Sequence, residues 1–154
     1  MHKKSVPLIR QMGTTDCGIA ALTMIFQYYK YKIDISELKA TTSIGRNGMS
    51  LAKMKEITEE HNFSFKAYGN YETKENLIKC LPIIMCSKEN HYVVVAEKKY
   101  GKYILLDPLK GKEKVDYSYI KKNFLDVLVC VRPTEKNYKR EKRESFLIPI
   151  NKSK

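Results

Sequence analysis

The sequence lacks the features that would assign it to several common classes of protein. No stretch approaches the run of about eighteen apolar residues that suggests a membrane-crossing helix. The first residues, Met1-His2-Lys3-Lys4, do not form a secretory signal. There are only four cysteines, no C-x-x-C pair and three scattered histidines, which disfavours a zinc site. We therefore expect a reduced domain without metal or other cofactor, on the side of the membrane where it is made.

The charge alone does not select a partner. The net charge is +12, and residues 136–154 contribute +5 of it through seven Lys and Arg against two Glu, which leaves +7 for the first 135 residues. No aromatic-basic pattern of an RNA-recognition strand accompanies that charge, so we expect no nucleic-acid partner. No G-x-x-x-x-G-K-[ST] loop for nucleotide phosphates is present either. An acidic peptide or an anionic membrane surface fits the charge equally well.

Length and composition favour one domain followed by a tail. A chain of 154 residues can bury one substantial core but not two ordinary ones. From Thr134 onward the composition changes, because residues 136–144 are charged and only residues 146–150 are apolar. We predict a domain at residues 1–135 and a basic linker at residues 136–154.

Helical patterns dominate up to His61, and strand patterns follow it. Helices are predicted to begin near Cys17, Asp34 and Ser50, where short polar residues precede apolar positions at helical spacing. The later apolar runs predict strands at residues 82–86, 91–97, 103–107 and 127–131. This order predicts an α+β fold in which the first helix packs against a mostly antiparallel sheet.

One segment, residues 11–24, carries the first indication of chemistry. Cys17 stands directly before a run of small residues with helical spacing. A helix N-terminus favours a thiolate, which is the nucleophilic form of cysteine. The amide of Gln11 could lie beside that thiolate, where an oxyanion develops during attack on a carbonyl. Asp16 is better interpreted as a helix cap or a loop anchor than as a catalytic acid.

Two further residues would complete a catalytic site. His91 begins one predicted strand and Asp107 ends the next, and the turn between these strands contains Gly101. A base and a carboxylate in these positions meet across a hairpin, so His91 would act as the general base and Asp107 would orient it. The alternative bases are His2 and His61; the alternative acids are Asp116 and Asp126.

Together these segments resemble the C39 family of cysteine peptidases. The resemblance extends from about Val6 to about Pro133 and depends on Gln11-x4-Asp16-Cys17-Gly18-x-Ala20-x3-Met24, His91-x-Val93, Asp107-Pro108 and the G-x-S-L element Gly48-Met49-Ser50-Leu51. One departure is visible: the family often has a glycine after the tyrosine that ends the first helix, and here Tyr29 is followed by Lys30.

The resemblance implies a papain-like fold and a cysteine endopeptidase. Its substrate would be the leader peptide of a ribosomally made bacteriocin or lanthipeptide precursor, cut after a double-glycine-type motif. Gly48, Met49 and Ser50 would line the substrate cleft. Residues 136–154 would lead to the membrane and nucleotide-binding domains of an ABC transporter at the cytosolic face of a bacterial membrane. A non-catalytic leader-binding module and a papain-like peptidase with another substrate remain the alternatives.

Overall fold

The computed structural model describes residues 5–43, 45–46, 48–69 and 74–137. The helices are α1 (Cys17–Tyr28), α2 (Ile35–Ala40), α3 (Leu51–Glu60), α4 (Lys74–Cys80) and α5 (Tyr117–Asn123). The strands are β1 (Phe63–Gly69), β2 (Ile83–Cys86), β3 (Tyr92–Lys99), β4 (Lys102–Asp107), β5 (Gly111–Val115) and β6 (Val127–Pro133). In the described part of the chain, no helix is both long enough and apolar enough to cross a bilayer.

The strands form one antiparallel sheet in the order β1-β6-β2-β3-β4-β5. The last strand is therefore inserted between β1 and β2, far from its neighbours in sequence. Because adjacent strands run in opposite directions, β2 and β4 end at the edge of the sheet where β3 and β6 begin. His91, Asp107 and the start of β6 consequently lie along the same edge.

Both faces of the sheet are covered, which explains why its central strands are continuously apolar. Ile84 and Val94 belong to a core shared with α1, whereas Ile83 and Val95 belong to a second core shared with α4 and α5. Successive side chains of a strand point to opposite faces, so a strand covered on both sides needs apolar residues at every position.

Helix α1 is the central element of the first core, and its residues from Cys17 to Phe26 are all buried. Such complete burial is typical of a helix with structure on every side. Leu38 of α2 and Met54 of α3 belong to the same core. Asp34 caps α2 through a capping box, and Ser50 caps α3 by accepting the Lys53 N–H at 3.1 Å. All three helices thus begin where the sequence predicted.

The described chain stays packed on the domain up to its last residue. Asn137 is 6% exposed, and its side-chain amide donates to the carbonyls of His61 and Asn62 at 3.0 and 3.2 Å. Most of the predicted linker, residues 138–154, lies outside the described residues.

The end of α1 explains how the chain turns where the family often has a glycine. The N–H of Lys30 donates to the Gln27 carbonyl, and the N–H of Tyr31 donates to the Phe26 carbonyl, both at 2.9 Å. These two bonds form a Schellman motif, and the ring of Tyr31 packs edge-on against Phe26. The motif requires a left-handed residue, and Lys30 has φ 61°. Lys30 therefore adopts a conformation that glycine accommodates without steric cost.

Replacing Lys30 with glycine should stabilise the domain. Glycine removes the steric cost of the left-handed conformation, and this gain in free energy exceeds the entropic cost of a more flexible unfolded chain. Lys30→Gly is therefore expected to raise the free energy of unfolding by about 0.5–1 kcal/mol. Urea denaturation measures the change. Lys32→Gly is the matched control, because Lys32 is exposed and not left-handed, and it should lower stability slightly. Equal losses in both variants would contradict this explanation of the turn.

Candidate active site

The thiol of Cys17 lies at the first residue of α1 and is 8% exposed. The backbone N–H of Tyr92, the first residue of β3, points at its sulfur with an N–S distance of 3.5 Å. The N–H groups in the first turn of a helix have no carbonyl partner within that helix. Cys17 is thus surrounded by N–H donors that stabilise an anion.

Gly18 permits the close packing that forms one wall of the site. A Cβ atom at this position would lie 3.1 Å from both Cβ and Sδ of Met49. The hydroxyl of Tyr92 donates to the Met49 carbonyl at 2.9 Å, and burial raises the pKa of Tyr92 to about 12, which keeps the hydroxyl protonated. Met49 is therefore fixed against the helix that carries Cys17.

His91 lies between the sulfur and a buried carboxylate. Its Nε2 atom is 2.7 Å from Oδ1 of Asp107, and its side chain interacts with the thiol of Cys17. Because Nε2 is hydrogen-bonded to Asp107, Nδ1 is the ring nitrogen that can interact with the thiol. The backbone N–H of His91 donates to Oγ of Ser87 at 3.2 Å, which holds the short connection between β2 and β3.

Asp107 ends β4 and is 5% exposed. Besides His91, its Oδ1 accepts the backbone N–H groups of Leu109 at 2.8 Å and Lys110 at 3.1 Å. A buried carboxylate is costly unless it is hydrogen-bonded, and these donors satisfy it. They also prevent its rotation, so the direction in which it holds the imidazole is fixed.

The electrostatics of these groups favour a thiolate and an imidazolium. Burial raises the pKa of the Cys17 thiol, but hydrogen bonds with His91 and the Tyr92 N–H outweigh burial, and the net pKa is lowered. The hydrogen bond with Cys17, helped by that with Asp107, raises the pKa of His91 to about 9. Burial also raises the pKa of Asp107, yet its hydrogen bonds with His91 and two backbone N–H groups leave that pKa lowered.

Gln11 lies next to the turn that follows Asp107. Its backbone N–H donates to the Pro108 carbonyl at 3.0 Å, and its side-chain Nε2 donates to the Gly13 carbonyl at 2.8 Å. Its Oε1 is buried, with no hydrogen-bond partner among the described residues. One N–H of the amide is therefore engaged by the loop, and the described residues offer no hydrogen-bond acceptor to the other.

The alternative bases and acids occupy other positions. His61 follows the end of α3 and its Nδ1 is 3.0 Å from the hydroxyl of Tyr31, while His2 lies outside the described residues. Asp116 caps α5 by accepting a backbone N–H at 2.9 Å. Asp126 is paired with a lysine of that helix at 2.9 Å.

A cleft beside Cys17 and a neighbouring groove are together lined by the three predicted substrate-binding residues. A cleft of about 340 Å³ contains Cys17, Gly48 and Met49, together with the charged Arg46 and Glu89. A neighbouring groove of about 400 Å³ is lined by Gly48, Met49, Ser50, Leu51, Cys86, Asn90, Tyr92, Leu125, Val127 and Val129. Gly48, Met49, Asn90 and Tyr92 belong to both linings, so they lie where the cleft meets the groove.

Sequence reasoning missed most of the groove. Tyr92 could have been found, because strand alternation places it on the face opposite to Val93, towards α1. Leu125 and Val127 carry no such signal. They reach the groove because β6 enters the middle of the sheet, and a local pattern does not reveal that pairing.

The other three cysteines, Cys80, Cys86 and Cys130, lie among apolar residues in the sequence, where a thiol usually serves as a small apolar side chain. None is disulfide-bonded; Cys130 is buried, and Cys80 and Cys86 are half-buried. Burial raises the pKa of Cys86 to about 11, although this residue lines the groove, and that of Cys130 to about 12. In contrast to Cys86 and Cys130, Cys17 has a thiol whose pKa is lowered.

A helix that presents a thiol to an imidazole at the edge of an antiparallel sheet places this chain among the cysteine peptidases of papain-like architecture. The family model described as "Peptidase C39 family" matches residues 5–136. The chain belongs to that family, which confirms the resemblance and the α+β, papain-like fold predicted from sequence.

Relatives and solved structures agree with this membership. The lacticin-481/lactococcin-DR transport/processing ATP-binding protein of Lactococcus lactis subsp. lactis is 28% identical over 149 residues, which cover 94% of this chain and 22% of that protein. The colicin V secretion/processing ATP-binding protein of Escherichia coli is 28% identical over 131 residues, covering 85% and 19% of the two chains. The chain thus spans about a fifth of the length of the curated relatives it matches.

Two crystal structures show the same fold. A double glycine motif protease from an AMS/PCAT transporter, in complex with the leader peptide, superposes with a TM-score of 0.76 at 28% identity, covering 86% of this chain and 94% of that one. The peptidase domain of Streptococcus ComA gives 0.71 at 18% identity, covering 86% and 100% of the two chains.

Proposed function

We propose that this domain removes the leader peptide from a ribosomally made precursor of the bacteriocin or lanthipeptide type, cutting after a Gly-Gly or Gly-Ala pair. The observation that carries the proposal is that His91 lies between Cys17 and Asp107. Its Nε2 atom is 2.7 Å from Oδ1 of Asp107. Similarity to a double glycine motif protease solved with a leader peptide supports the choice of substrate.

In the first half of the reaction, Cys17 attacks the carbonyl of the second residue of the pair. His91 takes the thiol proton, so the nucleophile is a thiolate paired with an imidazolium. As the tetrahedral intermediate collapses, the imidazolium passes its proton to the departing amine, and a thioester to Cys17 remains. In the second half, the neutral imidazole removes a proton from water, which attacks the thioester and releases the leader. Asp107 stays ionised and keeps the imidazole in the required tautomer.

The negative charge that develops on the oxygen of the substrate carbonyl has to be stabilised by hydrogen-bond donors. We assign this role to the backbone N–H of Cys17 and to the amide N–H of Gln11 that the loop leaves free. Donors fixed before the reaction stabilise the transition state without reorganising. The contacts of Gln11 with Gly13 and Pro108 supply that fixation.

Selectivity for a pair of small residues, Gly-Gly or Gly-Ala, follows from the wall beside the thiol. Met49 packs against Gly18 and is tied to Tyr92, so it has little freedom to yield to a side chain of the substrate. A rigid wall discriminates by excluding larger groups. Glycine and alanine pass it, and residues with larger side chains are rejected.

A cleavage assay tests the proposed function. The purified domain should cut a synthetic precursor after its Gly-Gly pair, and Cys17→Ala should abolish the reaction. Gln11→Ala should lower kcat by about a hundred- to a thousandfold with little change in KM, because it removes a donor used in the transition state. Cys80→Ala is the matched thiol control and should keep full activity. Cleavage by Cys17→Ala would refute the mechanism, and an unchanged kcat for Gln11→Ala would reject its role.

The rest of the leader would bind in the neighbouring groove. An amphipathic helix places its apolar side chains in such a groove and leaves its polar face in water. Leu125 is 44% exposed at the groove and belongs to neither of the two hydrophobic cores. Its side chain therefore offers an apolar surface to a bound peptide. The positive charge of the domain suits a leader that carries acidic residues.

Changing Leu125 should therefore affect binding rather than chemistry. Leu125→Lys is expected to raise KM for a full-length precursor by about tenfold or more, because a buried leucine contributes about 1.5–3 kcal/mol. Its kcat at saturation should stay within twofold of wild type. The matched control is Ile78→Lys in α4, a site that is 39% exposed and belongs to another part of the surface. If both variants raise KM equally, the groove is not the leader site.

The domain would act within a longer chain. Relatives whose names describe them as transport or secretion and processing ATP-binding proteins are about five times as long. We propose membrane and nucleotide-binding domains of an ABC transporter as its partners, at the cytosolic face of the membrane, with the basic residues 136–154 near anionic lipid headgroups. The reading frame beyond residue 154 tests this: membrane spans and a phosphate-binding loop would support it, and a stop codon would contradict it.

A further inference from the structure

Asp16 is a buried carboxylate that the proposed mechanism does not use. It is 2% exposed, and it precedes α1 without capping it through its side chain. Its Oδ2 instead accepts the backbone N–H of Gly13 and the ammonium of Lys39, both at 2.7 Å. The sequence predicted that Asp16 is a helix cap or a loop anchor. Its contacts with Gly13 and Lys39 show that it anchors the loop.

These contacts continue to the side chain of Gln11. The peptide unit of Gly13 is held at its N–H by Asp16, and the carbonyl of the same residue accepts Nε2 of Gln11 at 2.8 Å. Exchanging the amide oxygen and nitrogen of Gln11 would place two acceptors against each other, so this contact also sets the orientation of the amide. A chain of hydrogen bonds thus leads from Lys39 on α2 to the amide of Gln11.

Gly13 fits closely into this arrangement. A Cβ atom there would lie 3.2 Å from Oδ2 of Asp16, which is tighter than ordinary contact. At the other end of the segment, the backbone of Gln11 is tied to Pro108 at 3.0 Å. The loop is therefore fixed at both ends, and the Asp16–Lys39 ion pair provides one of the two attachments.

We propose that Asp16 and Lys39 are positioning residues for the reaction, which hold Gln11 so that its remaining N–H faces the oxyanion. The inference rests on the proposed function, because it gives a role to groups that act through Gln11. Donors in such a site must be placed before the reaction begins, and a displacement of about 1 Å can cost as much as a hundredfold in rate.

The test measures kcat and KM for cleavage of a synthetic Gly-Gly precursor by the domain. Asp16→Asn keeps the shape of the side chain but removes the charge that Lys39 holds, and Lys39→Met removes the cation. Each should lower kcat by about ten- to a hundredfold with KM within twofold of wild type. Lys39→Arg should restore most of the rate. Asp34→Asn is the matched control, because Asp34 caps α2 through hydrogen bonds with Glu37, and it should leave kcat unchanged.

The decisive comparison repeats Asp16→Asn and Lys39→Met in a Gln11→Ala background. Residues that act only through Gln11 should cause no further loss there, whereas a purely structural role would lower kcat by the same factor in both backgrounds. The second result, or a wild-type kcat for both single variants, overturns the inference. Should Asp16→Asn fail to fold, Lys39→Met carries the comparison, since the Lys39 side chain is 43% exposed.

These outcomes separate the inference from the proposed function. If Gln11→Ala has no effect, the inference fails with the role of Gln11, while cleavage that depends on Cys17 still supports a cysteine peptidase. If Cys17→Ala cleaves normally, the proposed function itself fails.

Discussion

The hydrogen bond between His91 and Asp107 is the contact on which the site depends. It engages one imidazole nitrogen and thereby assigns the other to Cys17. The antiparallel hairpin of β3 and β4 makes this contact possible, because it brings the beginning of one strand and the end of the next to the same edge of the sheet. Its turn contains Tyr100 and Gly101 at φ 52° and 78°, as expected for a tight hairpin. Asp107 is also held by backbone donors, so the direction of the imidazole is fixed by main-chain geometry.

The same edge of the sheet also brings the proposed leader groove close to Cys17. β2 ends at Cys86 and β6 begins at Val127, and both residues line the groove next to the cleft. Met49 and Tyr92 line both cavities, and Tyr92 also directs its backbone N–H at the sulfur. Tyr92 thus contributes both to the stability of the thiolate and to the wall that would select small residues. A peptide bound in the groove would enter the cleft past that wall.

Much of the site could be predicted from sequence because its signals are local. Cys17 begins a helix of small residues, and His91 and Asp107 stand at the ends of apolar runs separated by a recognisable turn. Asp34 and Ser50 likewise identified the starts of α2 and α3. The groove could not be derived in this way, since Leu125 and Val127 reach it through the pairing of β6 between β1 and β2. Nor could the partner of Asp16 be predicted, because Lys39 is one of many charged residues and only the packing of α2 brings it close.

The central claim is that Cys17 and His91 exist as a thiolate and an imidazolium near neutral pH. Nuclear magnetic resonance of the His91 ring, followed as a function of pH in wild type and in Cys17→Ala, tests it most directly. The account predicts a wild-type pKa of about 9, because the thiolate and Asp107 both favour the protonated ring, and a clearly lower pKa without the thiol. A ring that titrates near the ordinary histidine value of about 6.5 in both proteins would contradict the account.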